Sequence, residues 1–120
     1  MKQDCIDKIC SLPVDFKIVN KSIFKLATES QFPIYADQID VIDIKTKLQS
    51  DIDLIKAWKL YSEDKRTTGG YYFTSKHIGA INKNAEVIFR KDFTSDLDAC
   101  AEYIIREVSS ILDIKANLEN

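Results

Sequence analysis

The chain has 120 residues, of which 45% are hydrophobic and 30% charged, and its net charge is −2. That is enough for one compact domain with its own core and too little for two ordinary ones, so residues 1–120 are expected to fold as a single unit. Three glycines, two prolines and 10% aromatic residues exclude collagen-like, low-complexity and disordered chains, and no stretch approaches the ~20 apolar residues of a membrane span.

The first residues, Met1 to Lys8, carry Asp4 and Asp7 and no apolar run, which is unlike a secretory signal, so a cytoplasmic location is expected. Cys5, Cys10 and Cys100 are odd in number and fit a reducing compartment. Cys5 and Cys10 lie five apart on a predicted short helix, with no Cys or His at ligand spacing, and no zinc site is expected there. Val14-Asp15-Phe16-Lys17-Ile18 alternates apolar and polar residues and reads as a strand. Lys21 to Glu29 reads as a short helix with Ile23, Phe24 and Ala27 inward, ended by Phe32-Pro33.

Between Asp37 and Asp64, Val41, Ile44, Leu48, Ile52, Ile55 and Trp58 form a helical stripe. Ile42 and Ile44, alternating with Asp43 and Lys45, also fit a strand. The absence of Pro and Gly favours one long helix, or two that break near Ser50. Asp64 to Gly70 is the predicted loop into three β-rich runs, Tyr71–Thr74, Ile78–Ile81 and Val87–Arg90, separated by polar turns. From about Asp96 to Leu112 the spacing of Leu97, Ala101, Ile104, Val108 and Ile111 predicts an amphipathic helix. Thr94 or Ser95 supplies its cap, and Asp96 and Asp98 face its positive end. The expected fold class is α+β: a small antiparallel sheet of three or more strands, a C-terminal helix packed on it, and further helices from the N-terminal half.

No motif demands a particular chemistry. His77, the one histidine, sits beside Lys76 in a predicted turn, where a general base lacks a positioned partner. Cys100 falls near the buried face of the last helix and reads as a small hydrophobe. Gly69-Gly70 has no Gly-Lys-Ser/Thr around it and reads as a turn. Asp37, Asp40 and Asp43 fall three apart and could line one helical face. Neither they nor Asp51 and Asp53 show the loop pattern of a hard-cation site, so no metal or cofactor is expected.

Charge is segregated instead. Residues 65–91 carry a net +5 and residues 92–120 a net −5, which implies either complementarity within the chain or two surfaces of opposite sign. Tyr71, Tyr72, Phe73 and Phe89 beside Lys65, Arg66, Lys76, Lys83, Arg90 and Lys91 contain the ingredients of a nucleic-acid stacking platform. The acidic chain, with pI ≈ 5.4, and the missing RNA-binding signature weigh against that use. A binder of another protein is expected rather than an enzyme.

The run Glu63-Asp64-Lys65-Arg66-Thr67-Thr68-Gly69-Gly70-Tyr71-Tyr72-Phe73, a short hairpin, a strand ending in Asp92-Phe93 and an acidic helix with Ala99 and Tyr103 carry a resemblance. Over roughly residues 60–110 the chain resembles the small cytoplasmic immunity proteins of bacterial polymorphic-toxin and contact-dependent growth inhibition systems. The resemblance implies tight binding of one cognate toxin domain, for instance a basic nuclease, and a block of its active site or of substrate access. The acidic residues that would meet such a partner are Asp96, Asp98, Glu102 and Glu107 on the last helix, with Asp37, Asp40 and Asp43 second. The alternatives are a small adaptor or regulatory domain that binds a protein through its basic sheet, and a single-stranded nucleic-acid binder.

Overall fold

The computed structural model describes residues 1–65 and 69–118. The predicted loop residues Arg66, Thr67 and Thr68 lie outside the described residues. Five helices precede the midpoint of the chain: α1 (Lys2–Cys10), α2 (Leu12–Ile18), α3 (Ile23–Glu29), α4 (Phe32–Tyr35) and α5 (Val41–Ser50). Then come α6 (Asp53–Lys65), the strands β1 (Gly70–Thr74), β2 (His77–Ile81) and β3 (Val87–Asp92), and α7 (Asp96–Ile111). The strands form one antiparallel meander in the order β1-β2-β3, with α7 packed on the sheet, as the α+β expectation requires.

Local chemistry accounts for most of these boundaries. Ser22 caps α3 by accepting a hydrogen bond from the Lys25 amide at 3.1 Å, and Ser95 caps α7 by accepting one from Asp98 at 3.1 Å. Asp40 and Asp43 form a reciprocal capping box at the start of α5, each carboxylate accepting from the other's backbone amide. The chain breaks between α5 and α6 at Asp51 and Ile52, next to the expected Ser50. Gly69 and Gly70 take φ of +83° and +96°, a backbone that a side chain would strain, and so turn the chain into β1.

The core lies where α7 meets α5, α6 and the α7-facing side of the sheet. Trp58 of α6 is fully buried, and its Nε1 donates to the Cys10 carbonyl at 2.8 Å, tying α6 to the end of α1. Tyr103 of α7 stacks on Phe73 of β1 with centroids 5.7 Å apart and meets Trp58 edge-on at 5.8 Å. Past α7, residues 112–118 run back along the surface. Ile114, Ala116 and Leu118 are half-buried there, and Asn117 Nδ2 donates to the carbonyls of Asp37 and Ile39.

Several expectations are corrected. Residues 14–18 are helical, because Ser11 and Pro13 open a helix at Leu12 and no neighbouring strand is there to pair with them. Phe24 points outward, since α3 has only seven residues and buries Ala27 rather than a broad face. Phe32-Pro33 starts α4 after Gln31 adopts a left-handed φ of +66°, so it does not merely end α3. Ile52 falls in the break between α5 and α6 and is exposed, leaving the stripe expected to include it. His77 opens β2, and the turn is Ser75-Lys76, with Lys76 at φ +61°.

Candidate partner-binding surface

The acidic side chains expected to face a partner are engaged within the fold. Asp96 accepts from Lys59 Nζ at 2.6 Å and from the Lys76 amide at 2.8 Å, and the Lys59 hydrogen bond holds its carboxyl below the ordinary range. Asp98 pairs with Lys45 of α5 at 2.6 Å, which lowers its carboxyl in the same way. Glu102 and Glu107 are 5% and 3% exposed, so neither presents a carboxylate to a partner. Glu102 accepts from Lys91 Nζ at 2.8 Å and Arg106 Nε at 2.9 Å; Glu107 accepts from the Tyr61 hydroxyl at 2.7 Å. Burial, and then the Glu107 charge, push the Tyr61 hydroxyl up from its usual range.

The second acidic group does not form one helical face. Asp37 is exposed in a 3₁₀ turn (Ala36–Gln38), Asp40 is the cap of α5, and Asp43 pairs with Lys2 at 3.1 Å. Burying charge demands a partner, and the long amphipathic α7 finds its partners on α5, α6 and β3 and in the β1–β2 turn. The acids of α7 pair within the chain, with lysines of α5 and α6 as well as with Lys91 of the basic strand region.

The aromatic strand residues are similarly engaged. Phe73 is 1% exposed, and Tyr71 and Phe89 are half-buried on the α7-facing side, where the Arg106 guanidinium lies 4.4 Å from the Phe89 ring centroid. Tyr72 lies on the other face, across Gly79: a Cβ built on Gly79 would sit 2.4 Å from the Tyr72 hydroxyl. Its ring meets His77 edge-on at 5.8 Å. These positions do not form an exposed row of ring faces for bases to stack on. All three cysteines are buried free thiols, and burial pushes Cys10 up to about 12 and Cys5 and Cys100 upward. Among the described residues, no group of three or more His, Cys, Asp and Glu side chains is placed to hold a metal ion, and no helix is long and apolar enough to cross a membrane.

A different surface stands out. Helix α2 buries only Leu12 and Pro13, and leaves Val14, Phe16 and Ile18 exposed at 38%, 45% and 75%. The alternation that reads as a strand explains this pattern. In a helix, residues two apart point about 200° from each other, so an alternating sequence spreads its apolar side chains around the axis. Two shallow grooves result, one on each side of a ridge made by Pro13 and Lys17. The first, about 550 Å³, is lined by Val14, Ile18, Ala57 and Leu60, with Asp53 and Lys56 on its rim. The second, about 480 Å³, is lined by Phe16, Ile23, Tyr61 and Asp64. Tyr61 in this lining is held by its hydrogen bond to Glu107. None of these apolar residues was singled out from sequence as a site; the signal was present as strand-type alternation directly after a helix-opening Pro13.

Comparison with protein-family models, curated proteins and solved structures finds no match to this chain.

Proposed function

We propose that the chain is a cytoplasmic binding protein that neutralises a cognate bacterial toxin domain by tight protein-protein contact, and that it is not an enzyme. The observation that carries this reading is the exposed apolar face of α2 with its two flanking grooves against α6 and α3. Exposed apolar side chains lining grooves with charged rims favour a protein partner. A segment whose pattern conflicts with its structure is also where a functional constraint is expected. That the partner is a toxin rests on the immunity-protein resemblance of residues 60–110. The docking face differs from the acidic helix first expected, because that helix's carboxylates are already paired.

Affinity capture of the tagged chain from its native host at moderate salt tests the reading, with retained proteins and nucleic acids identified. One stoichiometric partner carrying a toxin C-terminal domain, lost with the Ile18→Asp variant, is the expected result. Retention of nothing, or only of nucleic acid that washes off with salt, would sink it. A stoichiometric partner with no toxic activity when expressed alone would favour the adaptor reading instead.

A further inference from the structure

Glu102 and Arg106 lie one turn apart on α7, and their contact fixes the arginine in place: Nε donates to Glu102 Oε2 at 2.9 Å. The same carboxylate accepts from Lys91 at 2.8 Å, so one buried negative charge is shared by two cations and one positive charge is left over. The rings of Tyr71 and Phe89 lie together beside the guanidinium. Its central carbon is 4.4 Å from the Phe89 centroid and 6.0 Å from that of Tyr71, and the two rings meet edge-on at 6.3 Å. These residues occupy one cross-strand row, Tyr71-Ala80-Phe89.

The fork of this arginine is unused. Among the described residues its hydrogen bond through Nε is the one it makes, and the side chain is 17% exposed. Among the described residues the buried side-chain polar atoms without a partner are Tyr103 Oη and Ser109 Oγ, and the terminal nitrogens of Arg106 are not of that group. A planar donor fork held at Nε and framed by aromatic rings is preorganised for a bidentate oxyanion. Its neighbours narrow the choice. Lys91 is committed to Glu102 and Arg90 to Asp92, so neither of these β3 neighbours offers free charge to a nucleic-acid backbone. One fork beside the Phe89 ring fits one carboxylate with an apolar side chain next to it, and Val87 and Ile88, next to Phe89 in β3, are 60% and 64% exposed.

We propose that Arg106, framed by Tyr71 and Phe89, is a carboxylate-binding site that takes an Asp or Glu side chain from an acidic segment of a protein partner. The proposal goes beyond the toxin reading and does not require it.

The test follows the Nε–Hε signals of the three arginines by NMR, in the full chain, during titration with a capped Val-Glu-Val peptide. The Arg106 signal is expected to shift saturably, with an affinity on the order of millimolar, and a Val-Gln-Val peptide should bind at least about tenfold more weakly. Arg106→Lys, which keeps the charge but removes the fork, should weaken peptide binding by a similar factor. Phe89→Leu keeps the arginine intact and should weaken it less, which preserves a test if the Lys variant unfolds. An unsaturated or absent shift overturns the proposal, as does an equal response to the Gln peptide. A tighter response to inorganic phosphate or to oligo-dT than to the Glu peptide also overturns it, in favour of an anion or nucleic-acid site. Because no toxin is present, a negative titration leaves the capture experiment's outcome to stand separately.

Discussion

Helices α7 and α2 each carry side chains that a water-facing helix would place the other way round. On α7, Glu102 and Glu107 are inside, held by Lys91, Arg106 and Tyr61, while Asp96 and Asp98 reach Lys59 and Lys45 on other helices. On α2, Val14, Phe16 and Ile18 are outside. The difference lies in what each class of group compels. A carboxylate near the core must find a donor or lose several kcal/mol, so α7's charges are spent on holding the fold. An exposed apolar side chain compels nothing locally; it forgoes roughly 25 cal/mol per Å² and leaves that gain to whatever covers it. Acidic residues thus mark the architecture here, and apolar ones mark the surface with something left to bind.

The sharpest way to break this contrast is at Glu102. Replacing it with Ala leaves Lys91 and Arg106 facing each other without their shared carboxylate, and unfolding in urea should show a loss of about 3 kcal/mol, at the low end for a buried pair because Lys91 is partly solvated. A loss below about 1 kcal/mol would mean that α7's charges are surface charges after all. Gly79→Ala probes the same half without touching a charge. The added Cβ would occupy the place of the Tyr72 hydroxyl, 2.4 Å away, and must push the ring off the sheet. An expected cost of about 1 to 2 kcal/mol, with a shift of the Tyr72 and His77 ring signals, follows from overpacking.

Much of the C-terminal half was legible in the sequence because each of its signals agreed with the others. The 4-3-4-3 spacing, the Ser95 cap and the first-turn aspartates all described α7, which runs Asp96–Ile111. The three β-rich runs needed only their ends extended. The N-terminal half misled where a local pattern lacked its partner: Val14 to Ile18 alternates like a strand, yet the fold offers it no sheet edge, and Pro13 settles the segment as helix. The site was misread for a related reason. Spacing locates acidic residues on a helix but does not reveal that Lys45, Lys59 and Lys91, 11 to 53 positions away, close upon them. Arg106 was likewise visible only once β1 and β3 had placed Tyr71 and Phe89 beside it.

The paired aspartates give a smaller, pH-dependent effect. Asp96 and Asp98 have carboxyls lowered in the folded chain from an ordinary 3.8, so below that value the unfolded chain takes up protons first. Their stabilisation is present above pH 3.8 and is lost as the pH falls through the lowered values. The double variant Asp96→Asn, Asp98→Asn should lose less than about 1 kcal/mol per pair at pH 7. Its urea midpoint should also fall less steeply between neutral pH and pH 3 than that of the parent chain. An unchanged acid limb would show that these pairs are not formed in solution.

The smallest effect on stability should come from the change with the largest expected effect on binding. Ile18 is 75% exposed at the edge of a shallow groove, so Ile18→Asp should alter unfolding free energy by no more than about 0.5 kcal/mol. Phe16→Asp, at 45% exposure, opens the second groove in the same way and should cost little more. Ile42 on α5 is the matched control: it is 70% exposed and does not line either α2 groove. If α2 is the docking face, each α2 variant should reduce partner retention by tenfold or more, the ~1.4 kcal/mol expected of one buried anchor, while Ile42→Asp leaves it unchanged. Equal losses from all three would mean that any exposed isoleucine or phenylalanine matters only through solubility. No loss from the α2 pair would exclude α2 as the docking face and favour the exposed Val87 and Ile88 of β3 instead.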